Sequence, residues 1–272
     1  MPMISFRDVI NARQHVDDAD VVERARGSVA LQIALKATRP SNWWGSGIPG
    51  EELIDISVRD GIPLAWVPSR EVVVAVHAAP DQPSRRQLLV ETASDVIESC
   101  VAAVDDCRDP WLSKQKPLAV DALHAWTSEA ELAAMALAVT LGESLMLKIA
   151  RPYILAFTSE DGDRKWYDQL PQRNRYRRAI YEADSTNPHI LHSPLERAVR
   201  APISHFFTTW YPDSGDPKPD LLSRHVAVHD PTTDHYTRGN ALLAVMLMAS
   251  LLYDLNDRYE AIRSDEVFEE EG

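Results

Sequence analysis

The chain has 272 residues, of which 45% are hydrophobic and 25% are charged, and its formal net charge is -13 at pH 7. This is the composition of an ordinary soluble protein, long enough for two domains or one large helical body. It contains no run of about 18 apolar residues that would form an obvious membrane span, and its N-terminus lacks a secretory signal pattern. We therefore expect a cytoplasmic protein that does not associate with membranes.

The first 115 residues are predicted to form an acidic helical region. Apolar side chains recur at helical spacing over residues 18–37, 70–79 and 84–107. A short strand over the valine-rich residues 71–76 is the alternative to the second of these helices. The third helix carries both cysteines, Cys100 and Cys107, about 10 Å apart by helical rise, which is too far for a disulfide.

Two irregular segments separate these helices. Residues 39–50 contain prolines, glycines and the pair Trp43 and Trp44, which predicts a loop whose tryptophans close one end of a helical core. The segment from Gly61 to Pro68 is apolar and bracketed by prolines, so it is unsuited to a long helix. Its sequence, Gly-Ile-Pro-Leu-Ala-Trp-Val-Pro, resembles a segment that recurs in uncharacterised bacterial helical proteins, a resemblance that implies no function.

A second helical region is predicted over residues 116–264, after a boundary marked by Asp109-Pro110 and two lysines. Its expected helices cover residues 117–126, 128–149, 164–182, 194–210, 220–229 and 236–263. Glu143, on the second of these helices, is expected to face solvent. The alternative is that its side chain reaches toward Arg224 and His229. The last helix has a wide apolar stripe, which indicates burial inside one chain or at a homodimer interface. Residues 265–272 are acidic and predict a disordered tail.

The negative charge is unevenly distributed along the chain. Residues 1–144 carry 13 basic and 21 acidic side chains, residues 145–264 carry 15 of each, and the tail carries five acidic ones. Within the neutral region, basic and aromatic residues cluster over residues 164–181, a pattern that can hold a nucleic-acid backbone and stack bases. The alternative is a solvated helix face whose aromatic side chains face the core. The predicted RNA-binding residues are Arg173, Arg175, Arg177, Arg178 and Tyr176.

The residue types of phosphodiester chemistry come together between Ser223 and Asp230. Arginine binds phosphate with a planar fork of donors, and histidine titrates near neutral pH. Arg224 and His229 are five residues apart, which on a straight helix separates their directions by about 140°. Because Pro231 disfavours helical geometry at the residue before it, the helix is predicted to end near His229, where the chain can bring the two side chains together.

This spacing, Arg224-x4-His229 with the polar His225 after the arginine and an apolar helix to follow, resembles the R-x4-6-H motif of HEPN domains. These all-helical modules include metal-independent ribonucleases and toxins. The resemblance implies that His229 acts as general acid or base at the ribose 2′-hydroxyl, that Arg224 holds the scissile phosphate, and that His225 orients or assists. It also implies a site completed by two protomers, with no metal and no cofactor. Ser223 departs from the asparagine that related sequences often carry before the arginine.

Two other interpretations of the same residues stay open. In the first, the motif is purely structural: Arg224 pairs with Asp220 or Asp230, and the histidines bond the carbonyl groups at a helix end. In the second, histidines spaced four residues apart and the carboxylates after them hold a transition metal. The ligands of that site would be His225, His229, Asp230, Asp234 and His235.

The sequence thus predicts an all-α protein, with an acidic N-terminal region packed on a C-terminal HEPN-like bundle. The predicted function is RNA cleavage or RNA binding in a toxin or phage-defence setting. The expected partners are RNA, a second copy of the chain, and a protein partner or antitoxin. The alternative function is a catalytically silent helical interaction or dimerisation module that partners a separate effector.

Overall fold

A computed structural model describes the backbone of residues 39–156 and 193–270, and the side chains of residues 39–148 and 193–260. Over these ranges the chain forms ten α-helices and two short 3-10 helices, without a β-strand. The prediction of an all-α protein is therefore confirmed. The predicted helices over residues 18–37 and 164–182, with the RNA-binding residues Arg173, Arg175, Arg177, Arg178 and Tyr176, lie outside the described residues.

The helices are numbered in chain order. They are α1 (Gly50–Asp60), α2 (Arg70–Ala78), α3 (Gln82–Glu91), α4 (Ala93–Asp106), α5 (Lys116–Thr127), α6 (Glu131–Ala156), α7 (Pro194–Arg200), α8 (Ile203–Phe206), α9 (Arg224–His229) and α10 (Arg238–Glu270). The 3-10 helices cover Ser41–Trp43 and Pro110–Leu112. The valine-rich residues of α2 are helical, so the alternative of a short strand is wrong.

Helices α6 and α10 pack along each other at the centre of the protein. Alanine and leucine recur on the buried face of α6 at Ala134, Ala138, Leu141 and Leu145, and the small alanines let the neighbouring helices approach closely. Every residue of α10 from 241 to 252 is buried. A helix that is apolar on all sides must be surrounded by protein, and here α3, α4, α5 and α6 cover it. Its wide stripe is therefore buried within one chain.

The first part of α10 is long and apolar enough to cross a membrane, judged by length and composition. Of this stretch, however, 89% is buried inside the protein. That burial is typical of the core helix of a soluble protein.

One hydrophobic core extends across the predicted boundary at residue 115. Helices α3 and α4, from the N-terminal region, pack directly on α10, and α5 packs on α6. The division into residues 1–115 and 116–264 stays a prediction.

The two irregular segments pack on each other at one end of this core. The Asn42 side chain donates to the carbonyl groups of Leu64 (2.9 Å) and Pro68 (2.8 Å), and its oxygen accepts from the Trp66 amide (3.0 Å). The indole of Trp43 is buried and donates to the Leu64 carbonyl at 2.7 Å. Trp43 thus closes the core as predicted, while Asn42 satisfies the backbone of the Gly61 to Pro68 segment.

Several predicted helix boundaries were wrong. The helix expected over residues 84–107 is divided into α3 and α4 at Thr92, where the backbone departs from helical angles (φ -100°, ψ 20°). The Thr92 hydroxyl shares the Leu88 carbonyl (2.8 Å) with the Thr92 amide (2.9 Å), an arrangement that bends helices. The helix expected over residues 194–210 is divided into α7 and α8 near Pro202, which has no N–H to continue the helical ladder. Helix α10 continues to Glu270, so the backbone of residues 265–270 is helical where the sequence predicted disorder.

Candidate functional site at the Arg224 helix

Helix α9 carries the three predicted catalytic residues, and its two ends are set by local sequence. Ser223 is the N-cap, where its hydroxyl accepts a long bond from the Val226 amide (3.5 Å) and donates to the Thr208 carbonyl (3.1 Å). The helix therefore begins at Arg224, four residues later than the predicted start at residue 220. It ends at His229, two residues before Pro231, as the sequence predicted.

Arg224 forms an ion pair with Glu143 of the central helix α6. The Nε group of the arginine donates to the Glu143 carboxylate at 2.8 Å. The arginine side chain is 18% exposed and the glutamate side chain 21% exposed. The structure thus pairs Arg224 with Glu143, where the sequence suggested Asp220 or Asp230, and Glu143 is partly shielded where it was expected to face solvent. Because both groups are partly shielded from water, their attraction is stronger than that of an exposed pair.

The two histidines of α9 are in contact with each other. The ring centroids of His225 and His229 are 5.6 Å apart, as expected for positions one helical turn apart. His225 is buried, and its Nδ1 has no hydrogen-bond partner among the described residues. Burial lowers the pKa of His225, and the neighbouring Arg224 and His229 lower it further, while Glu143 opposes them. His225 is therefore neutral at pH 7.

His229 differs from His225 in being exposed to solvent. It is the last residue of α9, whereas Arg224 is the first. The structure thus places all three predicted catalytic residues on one short helix, where a buried imidazole contacts an exposed one.

Tyr211 is a neighbour of this site that the sequence analysis missed. Its ring meets the ring of His225 edge to face, with centroids 5.6 Å apart and an interplanar angle of 83°. Tyr211 lies in the connection between α8 and α9, and no local spacing rule relates it to the motif. The only hint in the sequence that Tyr211 could contribute to the site is that it is an aromatic residue next to the proline-rich segment 212–219.

Residues of the segment after α9 form hydrogen bonds with the backbone at the start and in the middle of this helix. Nε2 of His235 lies 3.2 Å from the Ser223 carbonyl oxygen and 3.4 Å from the Ser223 amide nitrogen, so its tautomer selects which bond forms. Burial lowers the pKa of His235. The hydroxyl of Tyr236 donates to the Ala227 carbonyl at 2.9 Å. His235 therefore supports the backbone of α9.

The carboxylates proposed as metal ligands are paired with a lysine. The ammonium of Lys218 donates to Asp230 (2.8 Å), to Asp234 (3.3 Å) and to the hydroxyl of Thr232. The bonds to the two aspartates raise the pKa of Lys218, and the bond to Asp230 has the largest effect. Across residues 39–148 and 193–260, no three His, Cys, Asp or Glu side chains are grouped so that they could hold a metal ion. The structure gives no support to the metal-site interpretation.

The stretch of sequence that contains α9 is acidic. Residues 211–236 contain two basic side chains, Lys218 and Arg224, and each is paired with carboxylate. The same stretch contains five aspartates, which are Asp213, Asp216, Asp220, Asp230 and Asp234. This stretch of sequence therefore carries more negative than positive charge, which opposes the binding of an anion to it.

No protein-family model, no curated protein and no solved structure matches the chain.

The cysteines lie away from this site. Cys100 and Cys107 are free and buried. Burial raises the pKa of both thiols, that of Cys107 to about 12. They are therefore protonated and inert at neutral pH.

Proposed function

We propose that the chain is a metal-independent endoribonuclease of the HEPN-like type, acting in a toxin or phage-defence setting. Arg224 binds the scissile phosphate and His229 is the general acid or base, while His225 assists. The observation that carries the proposal is the contact between the buried, neutral His225 and the exposed His229, on the same short helix as Arg224.

The reaction requires three functions. The ribose 2′-oxygen loses its proton to a base and bonds to phosphorus, while the bond from phosphorus to the 5′-oxygen breaks and that oxygen receives a proton from an acid. The products are a 2′,3′-cyclic phosphate end and a 5′-hydroxyl end. A guanidinium stabilises the charge that develops on the phosphoryl oxygens. An arginine and an imidazole on α9 supply the cation and one proton carrier, and a second protomer would supply the other.

Glu143 controls access to the arginine in this mechanism. The guanidinium must exchange the Glu143 carboxylate for phosphate oxygens before it can act on RNA. Replacing Glu143 by glutamine removes the competing charge while keeping the shape of the side chain. We expect Glu143→Gln to bind RNA more tightly than wild type.

The test is incubation of purified protein with mixed RNA in EDTA, followed by analysis of the fragment ends. Wild type should leave 2′,3′-cyclic phosphates, and Arg224→Ala and His229→Ala should each lower the rate at least about 100-fold. Arg70→Ala is the matched control, because Arg70 also pairs with a glutamate but lies on α2, exposed to solvent. Circular dichroism and thermal melting check that each variant is folded, and light scattering reports whether the protein is a homodimer.

A second candidate function is a catalytically silent interaction or dimerisation module that partners a separate effector. The ion pair of Arg224 with Glu143 and the aspartates around α9 favour it, because both oppose phosphate binding. In that case folded wild type leaves RNA intact in EDTA, and Glu143→Gln lowers stability without increasing RNA affinity. That pair of results would contradict the ribonuclease proposal.

A further inference from the structure

The side chain of Tyr211 is unusually exposed for an aromatic residue beside a buried histidine. Tyr211 is 55% exposed, although its ring contacts that of His225. Val228, which precedes His229 on α9, is a second exposed apolar residue. Apolar side chains are therefore presented to solvent beside the groups that the ribonuclease proposal uses.

The backbone on both sides of Tyr211 is anchored. The Tyr211 carbonyl accepts from the Ser214 amide (3.0 Å) and from the Ser214 hydroxyl (2.8 Å). The preceding residue, Trp210, is buried and donates its indole N–H to the Asp216 carbonyl at 3.1 Å. The ammonium of Lys218 lies over the Trp210 ring, 5.9 Å from its centroid. Tyr211 is thus held in place while its ring stays open to solvent, which lowers the entropic cost of stacking a ligand on it.

The charge around the ring restricts what the ligand can be. The nearby aspartates repel an anion, but a nucleobase is neutral and stacks on an aromatic ring without meeting that repulsion. In a nucleotide stacked on this ring, the phosphate would be held at Arg224 once the guanidinium exchanges the Glu143 carboxylate for phosphate oxygens. A base that is paired in a duplex has both faces covered and cannot stack in this way.

We propose that Tyr211 stacks on an unpaired nucleobase next to the phosphate that Arg224 binds, so that the substrate is single-stranded RNA. This inference rests on the proposed function, because it places Tyr211 in the binding surface of the same site. It assigns substrate selection to a residue of the loop between α8 and α9, and phosphate binding to α9 itself.

The test measures binding separately from cleavage. A fluorescent single-stranded 2′-O-methyl oligonucleotide lacks the attacking hydroxyl and cannot be cleaved, so its anisotropy reports binding alone. Tyr211→Ala should weaken binding about tenfold, whereas Tyr211→Phe, which keeps the ring, should stay within about twofold of wild type. Trp111→Ala is the matched control: Trp111 is 51% exposed and meets Tyr259 edge to face, but lies in the 3-10 helix after α4.

Salt dependence separates stacking from charge. Tyr211→Ala should weaken binding equally at all salt concentrations, because stacking releases no counterions. Arg224→Ala should reduce the slope of log affinity against log salt by about 0.7, the value expected for one phosphate contact on a single strand. On a duplex 2′-O-methyl oligonucleotide, Tyr211→Ala should have no effect.

The outcomes separate this inference from the proposed function. If Tyr211→Ala binds as wild type does while Arg224→Ala binds more weakly, the stacking role is overturned and the phosphate site is kept. Binding that depends on Tyr211, with native RNA left uncleaved, would support stacking and contradict only the ribonuclease. If wild type binds no single-stranded oligonucleotide, both proposals fail.

Discussion

The carboxylate of Glu143 lies 2.8 Å from Nε of Arg224, an ion pair that links α6 to α9 across 81 positions of sequence. The pair fixes the first residue of α9 against the central helix. It also gives the arginine a structural role that is independent of any substrate, so its strength bears on both proposed functions.

We expect a measurable coupling between these two residues. Because each side chain is about one-fifth exposed, Arg224→Ala or Glu143→Ala should lower the free energy of unfolding by about 1–2 kcal/mol, with a coupling of about 1 kcal/mol in the double mutant. Urea denaturation of the four proteins measures this. The exposed pair Arg70 and Glu71 is the control and should couple by less than about 0.5 kcal/mol. Equal couplings for the two pairs would show that burial does not strengthen the first.

Stability should fall as the pH is lowered below about 6.5, the ordinary pKa of histidine. The pKa values of His225 and His235 are lowered in the folded protein. At pH values about one unit above 6.5, both groups are neutral in the folded and unfolded chains. Below about pH 6.5 the unfolded chain takes up protons that the folded chain binds less readily, so each histidine lowers stability by at most about 1.4 kcal/mol per pH unit.

Urea denaturation between pH 7.5 and pH 5 measures this slope. His225→Asn should have a smaller slope than wild type, and the double variant with His235→Asn a smaller slope still. Identical slopes in all three proteins would assign the pH dependence to other groups.

A buried ion pair at the end of α1 is predicted to matter more for stability than the site itself. Arg85 donates to Asp60 at 2.7 Å, with side-chain exposures of 8% and 1%. Arg85 also bonds the carbonyl groups of Val76 and Ala79 at the end of α2. Asp60→Ala leaves a buried guanidinium without its counter-charge and should cost about 3–5 kcal/mol of unfolding free energy.

The neighbouring Arg59, which also bonds Asp60 but is exposed, supplies the control for that experiment. Arg59→Ala should cost less than about 1 kcal/mol in the same urea titration. A loss below about 1 kcal/mol for Asp60→Ala would mean that Arg85 finds another partner or reaches water.

Two glycines with the same backbone conformation should respond differently to alanine. Gly61, the C-cap of α1, has φ +66°, and Gly47 has φ +72°. A Cβ at Gly61 would lie 3.0 Å from the His205 ring, whereas nothing lies within 4 Å of a Cβ at Gly47. Gly47→Ala should cost about 1 kcal/mol for the left-handed backbone alone, and Gly61→Ala about 2–4 kcal/mol, because the clash adds to it. Thermal melting of both variants tests the difference, which vanishes if His205 moves aside.

Local sequence rules determined much of the fold. The apolar spacing predicted helices at α2, α5, α6 and α10, and Pro231 predicted the end of α9 near His229. These features depend on residues within a few positions of each other. Where the prediction failed, a single residue interrupts the helix although the apolar pattern continues across it: the Thr92 backbone bends, and Pro202 lacks an N–H.

The relationships that define the site depend instead on how the helices pack. The sequence by itself placed Arg224, His225 and His229 on one short segment, and it predicted that α10 is buried. Only the tertiary structure gave Arg224 its partner Glu143 and His225 its neighbour Tyr211. Hydrophobic burial sets the positions of α6 and α9 without regard to the polar groups they carry. The contacts between those groups therefore follow from the packed core, and no spacing within the chain encodes them.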